Sequence, residues 1–444
     1  MNKYRCYFVI IALLAAPVCL RPITNAQEEN LDSPRLAALA KDIRAGKQDA
    51  LTAFWEEMKG KAPLIEPVSG NDKMRWVSYI WRGDGATQRM GMVGGLPGGD
   101  FPIKPLARLG ATDLWYRTEQ LPVDARFIYT FMHNYVKPAP GEKEEERVQK
   151  MMNQARRDPF NPAAFPPGSI FAIAELPAAP PQPWLKPNPD APRGEFKAEK
   201  FKSAVLNEER SIQIYTPPRY NENYNANGKP YPLLIFLDGE TAPLLFPLPV
   251  ILDNLTASGK IPPLIALTIA SGATRSRDLL CSTNFADFIA NELVPGLRKR
   301  YAITADPQQT VLSGFSGGGL TAAWVALRHP QVVGAVLSQS GAFWFYEGAT
   351  TTSPEPAFIE TGWLTRQYAT APRLPLRFYL EVGTLEQSVF LNQVLENRRM
   401  RDTLTARGYP VTYSEYNGGH DPLCWRGSIA DGLIALLGAP QKGK

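Results

Sequence analysis

The sequence predicts an α/β domain with a mainly parallel sheet, preceded by a small β-sandwich. Three observations predict it. From residue 196 onward, short apolar strand-like runs alternate with amphipathic helical ones, the pattern of a parallel sheet covered on both faces. Between residues 63 and 180, aromatic and β-branched segments at strand spacing are separated by Gly- and Pro-rich turns, which suits a sandwich. Seven prolines between residues 177 and 192 separate the two patterns, and that density excludes helix or central strand.

The elements follow in order. Residues 1–26 read as a signal peptide: Lys3 and Arg5 form a positive start, Phe8 to Leu20 an apolar core, and Thr24-Asn25-Ala26 the small residues before cleavage at Gln27. The apolar core is short for a membrane span. Cys19 offers a lipoprotein alternative, but the residue before it is Val18. The expectation is a periplasmic or secreted protein with no stable membrane span in the mature chain. Losing Lys3, Arg5 and Arg21 and no acid lowers the formal charge of +5 by three, so nothing points to nucleic acid. Cys281 and Cys424 remain, either as one disulfide or as small buried hydrophobes.

Residues 27–62 form a helical segment, with Leu36, Leu39, Ala40 and Ile43, then Leu51, Phe54, Trp55 and Met58, near the helical period. Residues 63–180 carry strand segments Met74–Trp81, Thr112–Glu119 and Arg126–His133, and Lys137–Asp158 is a charged, exposed loop or helix. Residues 181–195 are the linker. In residues 196–440 the strands are 211–215, 233–237, 264–269, 310–313, 333–338, 377–382 and 411–416, and the helices are 285–300, 320–328, 391–407 and 428–437.

Gly314-Phe315-Ser316-Gly317-Gly318 fits G-x-S-x-G between a strand and a helix. That context makes Ser316 a candidate nucleophile on a strained turn and the domain an α/β-hydrolase. The general base should follow the last strand. Of three histidines, His133 lies in the sandwich and His329 ends the helix after the motif, so His420 is the candidate. The orienting acid belongs after strand 377–382, where Glu386 is favoured over Glu381. A Ser–His dyad, or help from Asp421, remains open. The oxyanion donors are the Gly317 amide and, from the loop after strand 233–237, the Glu240 amide. No protein-bound metal or cofactor is called for.

Several segments together resemble the enterochelin (enterobactin) esterase family, an esterase D-like α/β-hydrolase group. The run Gly418-Gly-His-Asp-Pro-Leu-Cys-Trp-Arg-Gly427 looks like that family's histidine segment, and Arg275-Ser-Arg-Asp-Leu-Leu-Cys281 with Asn284-Phe285 is similar to another. Upstream, Pro63-Leu-Ile-Glu-Pro67, Trp81-Arg82, Asp158-Pro-Phe-Asn-Pro162 and Pro180-Pro-Gln-Pro-Trp-Leu185 resemble its N-terminal domain. The resemblance implies a serine esterase acting on lactone bonds of a catecholate siderophore, with or without iron. Such a complex is anionic, so Arg275, Arg277 and Arg426 are candidate substrate-binding residues, with Trp425 as a flat surface for catechol rings. Each arginine has a surface ion pair as its alternative. Two other functions stay open: a general exported carboxylesterase for aryl or carbohydrate esters, and a non-catalytic periplasmic siderophore-binding protein.

Overall fold

Ser33 opens the first helix: its Oγ accepts the Leu36 amide at 3.1 Å and Pro34 occupies the first turn of α1 (Pro34–Arg44). The helical segment expected over 27–62 breaks at Gly46, which has φ +76°, and resumes as α2 (Ala50–Met58). Leu36, Leu39, Phe54, Trp55 and Met58 form one buried cluster with Ile80 and Leu114 of the following sheet. The computed structural model describes residues 31–94, 103–136, 144–221, 228–241, 245–346, 361–386 and 392–438. The signal segment, Cys6 and Cys19 lie outside the described residues.

The N-terminal module contains β1 (Leu64–Val68), β2 (Asn71–Arg82), β3 (Met90–Gly94), β4 (Lys104–Pro105), β5 (Ala107–Arg108), β6 (Leu114–Pro122), β7 (Arg126–His133), α3 (Glu144–Gln154), β8 (Ala155–Arg156) and β9 (Ala172–Glu175). One sheet runs β1-β2-β6-β5; the other runs β4-β3-β7-β8, with β9 also on β7. Val77 and Tyr79 of the first sheet meet Met90, Met92, Phe127, Tyr129 and Phe131 of the second in a shared core. Period-2 alternation produces this: every second residue of each strand points at the facing sheet.

The stretch expected as a linker is bound rather than free. Trp184 and Leu185 pack against the second domain's core. The Asn254 side-chain amide donates to the Trp184 and Lys186 carbonyls, both at 2.9 Å. Proline removes backbone donors but leaves carbonyls, and here a neighbouring helix supplies the donors.

The second domain runs β10 (Glu195–Ser203), β11 (Glu208–Thr216), β12 (Leu233–Leu237), α4 (Leu248–Ala257), β13 (Ile265–Ile269), α5 (Arg275–Asp278), α6 (Thr283–Asp287), α7 (Val294–Arg298), β14 (Thr310–Phe315), α8 (Gly317–Arg328), β15 (Ala335–Gln339), α9 (Trp363–Thr370), β16 (Arg377–Gly383), α10 (Gln393–Ala406), β17 (Val411–Tyr416) and α11 (Pro422–Leu437). Its eight strands lie in the order β10-β11-β13-β12-β14-β15-β16-β17. β10 and β11 are antiparallel to their neighbours, and every pair from β13 to β17 is parallel. Leu233, Ile235 and Leu237 enter one core while Leu234 and Phe236 enter the other, so the sheet is buried on both faces as expected. The single helix expected over 285–300 is instead α6, a π-helical turn at Phe288–Leu293 and α7. Pro295 in the first turn of α7 lacks the amide a continuous α ladder would need.

Candidate active site

Ser316 sits between β14 and α8 with φ 54° and ψ −121°, a conformation that side chains rarely adopt and that sharp nucleophile turns require. Gly314 permits it: a Cβ there would stand 2.5 Å from the Gly318 carbonyl carbon. The turn is fastened by the Ser316 amide to the Gln339 carbonyl and the Ala342 amide to the Ser316 carbonyl, both at 2.9 Å. Gly317 is the first residue of α8, so its amide belongs to the helix end that has no intrahelical acceptor.

His420 follows β17 and half-emerges from the surface. Its Nδ1 lies 2.7 Å from Glu386 Oε2, and Glu386 is 1% exposed. The other oxygen, Oε1, accepts from Ser340 Oγ at 2.6 Å and the Gly383 amide at 2.9 Å. Both oxygens of this buried carboxylate thus face donors. With Nδ1–H donated to Glu386, Nε2 keeps its lone pair. Trp425 joins this pair to the nucleophile turn: its indole stacks on Phe315 at 4.9 Å and meets the His420 ring edge-on at 4.7 Å.

The structure separates the two glutamates. Glu381 accepts from Gln339 Nε2 at 2.8 Å, Ser428 Oγ at 2.5 Å and Tyr379 Oη at 3.1 Å. Burial pushes its carboxyl up to about 7. Asp421 is not directed at His420 either: it accepts the Leu423 amide at 2.8 Å and the Ile128 amide at 2.6 Å, and burial pushes it up to about 6. His329 pairs with Asp287 at 2.8 Å, and His133 lies 3.2 Å from Thr87.

On the other side of the turn, Asp238 has φ 55° and Glu240 lies in a 3₁₀ turn, Gly239–Thr241. The Glu240 carboxylate accepts the Ser271 and Gly272 amides at 2.9 and 3.1 Å. Arg275 clamps Asp238 with two bonds of 2.8 and 2.7 Å. Arg275 Nη1 lies 4.0 Å from where a Gly317 Cβ would stand, and Asp238 Oδ2 lies 3.6 Å from the same point on Gly318. The arginine pair therefore adjoins the start of α8. A cavity of about 420 Å³ opens beside Gly239 and Glu240, lined also by Ser211, Gln213 and Thr268. Among the described residues, no group of three or more His, Cys, Asp and Glu side chains is arranged to hold a metal ion.

Comparison with known proteins accounts for both halves of the chain. An esterase family model matches residues 203–436, and the model for the enterochelin esterase N-terminal domain matches residues 76–185. The chain is 30% identical over 435 residues to an iron(III) enterobactin esterase of Dickeya dadantii, covering 90% of this chain and 95% of that one. The chain belongs to the enterochelin esterase family. It is therefore a carboxylic-ester hydrolase. The family fold extends to solved structures. The ferric enterobactin esterase of Salmonella typhimurium superposes with a TM-score of 0.69 at 26% identity, covering 87% of this chain and 98% of that one. The enterobactin esterase of Shigella flexneri in the presence of enterobactin gives 0.67 at 27%, covering 86% and 97%.

Within this family member, three expected substrate contacts are otherwise engaged. Trp425 is 2% exposed, and its Nε1 donates to Tyr416 Oη at 2.8 Å and Ser340 Oγ at 3.0 Å. It is a support beneath the site, not an open platform. In the first turn of α11 its large ring is buried while its N–H finds partners. Arg426 stacks over Phe165 at 4.5 Å and donates to Gln182 at 3.1 Å, so it faces the N-terminal module. Arg277 is exposed and paired with Asp278 and Glu208 at 2.9 and 2.8 Å. The expected choice between a disulfide and buried thiols also resolves: Cys281 and Cys424 are free. Sequence reasoning missed Ser340 and Tyr416, which support the acid and the indole. Ser340 has φ 48°, but a serine after a strand carries no signal of it. Among the described residues, no helix is long and apolar enough to cross a membrane.

Proposed function

We propose that this esterase hydrolyses the ester (lactone) bonds of an exported or incoming catecholate siderophore of the enterobactin type, with Ser316, His420 and Glu386 as its catalytic residues. The observation that carries the site assignment is the 2.7 Å bond from His420 Nδ1 to the buried Glu386 carboxylate. It leaves Nε2 as the proton acceptor. The substrate class rests on likeness along nearly the whole chain to iron(III) enterobactin and salmochelin esterases.

In the first half-reaction Ser316 Oγ attacks a lactone carbonyl carbon as its proton passes to His420 Nε2. The oxyanion takes the Gly317 and Glu240 amides. The tetrahedral intermediate collapses, the acyl C–O bond breaks, and the imidazolium proton goes to the departing seryl hydroxyl oxygen. Water then repeats the sequence on the acyl-enzyme, giving the carboxylic acid and free Ser316. Any iron arrives with the substrate. Arg275 adjoins the start of α8 and is the cation best placed for an anionic substrate; Arg277 and Arg426 lie within ion-pair and inter-module contacts. The positive start, apolar run and small residues of 1–26 support export, with cleavage before Gln27.

The test is chromatography of products after incubation with iron-loaded and iron-free catecholate trilactone. Linear catechoylserine products are expected from the wild type, with Ser316→Ala slower by about 10⁶-fold and unlabelled by a fluorophosphonate. An intact trilactone, with feruloyl or acetyl esters turned over instead, would replace the substrate proposal. Mass analysis of the mature N-terminus tests export: a chain beginning at Met1 in the cytoplasm would refute it.

A further inference from the structure

The histidine loop is gripped from outside its own domain. Asn417 Nδ2 donates to Asp124 at 2.8 Å, Gln182 Nε2 donates to the Leu423 carbonyl at 2.8 Å, and the Ile128 amide donates to Asp421 at 2.6 Å. The donors and acceptors on the other side all belong to the N-terminal module or its tether, and they bracket His420. Leu385, next to Glu386, packs against the module's core, and its amide donates to the Gly418 carbonyl at 3.2 Å. The module thus braces both the acid loop and the base loop. The Ser316 turn is tied instead to Gln339 and Ala342, inside the second domain.

Asp421 is the tightest of these ties, and strand pairing explains why its partner is available. Ile128 lies opposite Ile173 of β9. The Ile173 amide donates to the Ala163 carbonyl at 3.1 Å, so this is a non-hydrogen-bonded pair and the Ile128 amide points away from β9. On that other side, Gly94 of β3 lies opposite Tyr129. The Ile128 amide, turned away from β9, is the donor that Asp421 Oδ2 accepts. Oδ1 caps α11 through Leu423. One 5%-exposed carboxylate, adjacent to His420, so joins β7 of the sandwich to the closing helix.

We infer that Asp421 is a positioning residue: by locking the loop to the Ile128 amide it sets the imidazole, which makes docking of the N-terminal module a condition of proton transfer. This rests on the reading of His420 as general base. Asp421→Asn leaves one oxygen for two backbone donors, Leu423 and Ile128, so its NH₂ must face one of them and the link from helix cap to module is broken. Asp124→Ala removes a second tie from the module side without touching the loop's own residues.

The measurement is kcat and KM for p-nitrophenyl acetate and for catecholate trilactone, with far-UV dichroism and melting as the check on folding. In Asp421→Asn, kcat should fall by about tenfold or more for both substrates, since misplacement of about 1 Å costs up to about 10²-fold; KM should stay within about twofold. Asp124→Ala should shift kcat in the same direction by a smaller factor. Unchanged kcat in both folded variants overturns the inference, as does a loss confined to the trilactone, which would make the module a substrate contact. His420→Gln run alongside tests the underlying reading: activity retained there would remove the base assignment whatever Asp421 does.

Discussion

Replacing Glu386 by Gln would exchange one oxygen for an amide nitrogen and reverse the direction of one hydrogen bond. The Gly383 amide donates to Oε1 at 2.9 Å, and a backbone N–H cannot reverse its role. The glutamine oxygen must stay on that side, placing its NH₂ 2.7 Å from His420 Nδ1. The imidazole then has to accept at Nδ1, so its proton moves to Nε2 and no lone pair remains for the Ser316 hydroxyl. A triad carboxylate turned into an amide with intact geometry lowers kcat by about 10⁴-fold, equivalent to about 5.5 kcal/mol of transition-state stabilisation. The assay is steady-state turnover of a small nitrophenyl ester, where substrate binding contributes little, with a burst experiment to isolate acylation. A Glu386→Gln enzyme within tenfold of wild type would refute the tautomer argument. Loss on Glu381→Gln instead would move the acid to the other glutamate.

Two further outcomes follow from burial and packing. Glu381, pushed up from 4.5 to about 7 by burial, binds its proton more tightly folded than unfolded. Its contribution is full below about pH 4.5 and lost as pH rises through about 7, on the order of 3 kcal/mol. Glu381→Gln should therefore flatten the fall in melting temperature between about pH 5 and about pH 8, and parallel curves would contradict this. A Cβ on Gly319 would meet Ser338 Oγ at 2.4 Å and Gly341 Cα at 3.0 Å, whereas one on Gly318 meets nothing nearer than 3.5 Å. Gly319→Ala should cost about 1–3 kcal/mol in denaturant unfolding, while Gly318→Ala should be neutral or gain up to about 1 kcal/mol. Equal effects at the two sites would show that the turn is looser than these distances imply.

Legibility in the sequence followed the range of the interaction concerned. The strand 310–313, the G-x-S-x-G turn and the helix after it are contiguous, so local propensity and glycine placement announced them. Chain order favoured Glu386 over Glu381, because it lies past the strand end, but could not exclude the other. They lie five residues apart at the end of one strand, and only the fold decides that one turns to His420 while the other enters the Gln339–Ser428 side. Trp425 and Arg426 were misread for the same reason: a histidine-segment resemblance supplies residue types, not the direction in which a helix presents them. The proline run 177–192 was legible as non-helical, but its fastening to α4 depends on Asn254, some seventy residues away.

Taken alone, the chain's order of apolar runs, turns and single reactive residues determined the α/β class, the sandwich before it, and Ser316 and His420 as the groups to examine. Those features arise from neighbours in sequence, where backbone sterics and side-chain periodicity act. Tertiary structure alone decided that Glu381 turns away from the imidazole while Glu386 meets it, that the tryptophan lies beneath the site, and that the N-terminal module holds the histidine loop. Each of those depends on atoms dozens to hundreds of residues apart, brought within about 3 Å by burial of two cores and by the need of every buried donor for an acceptor.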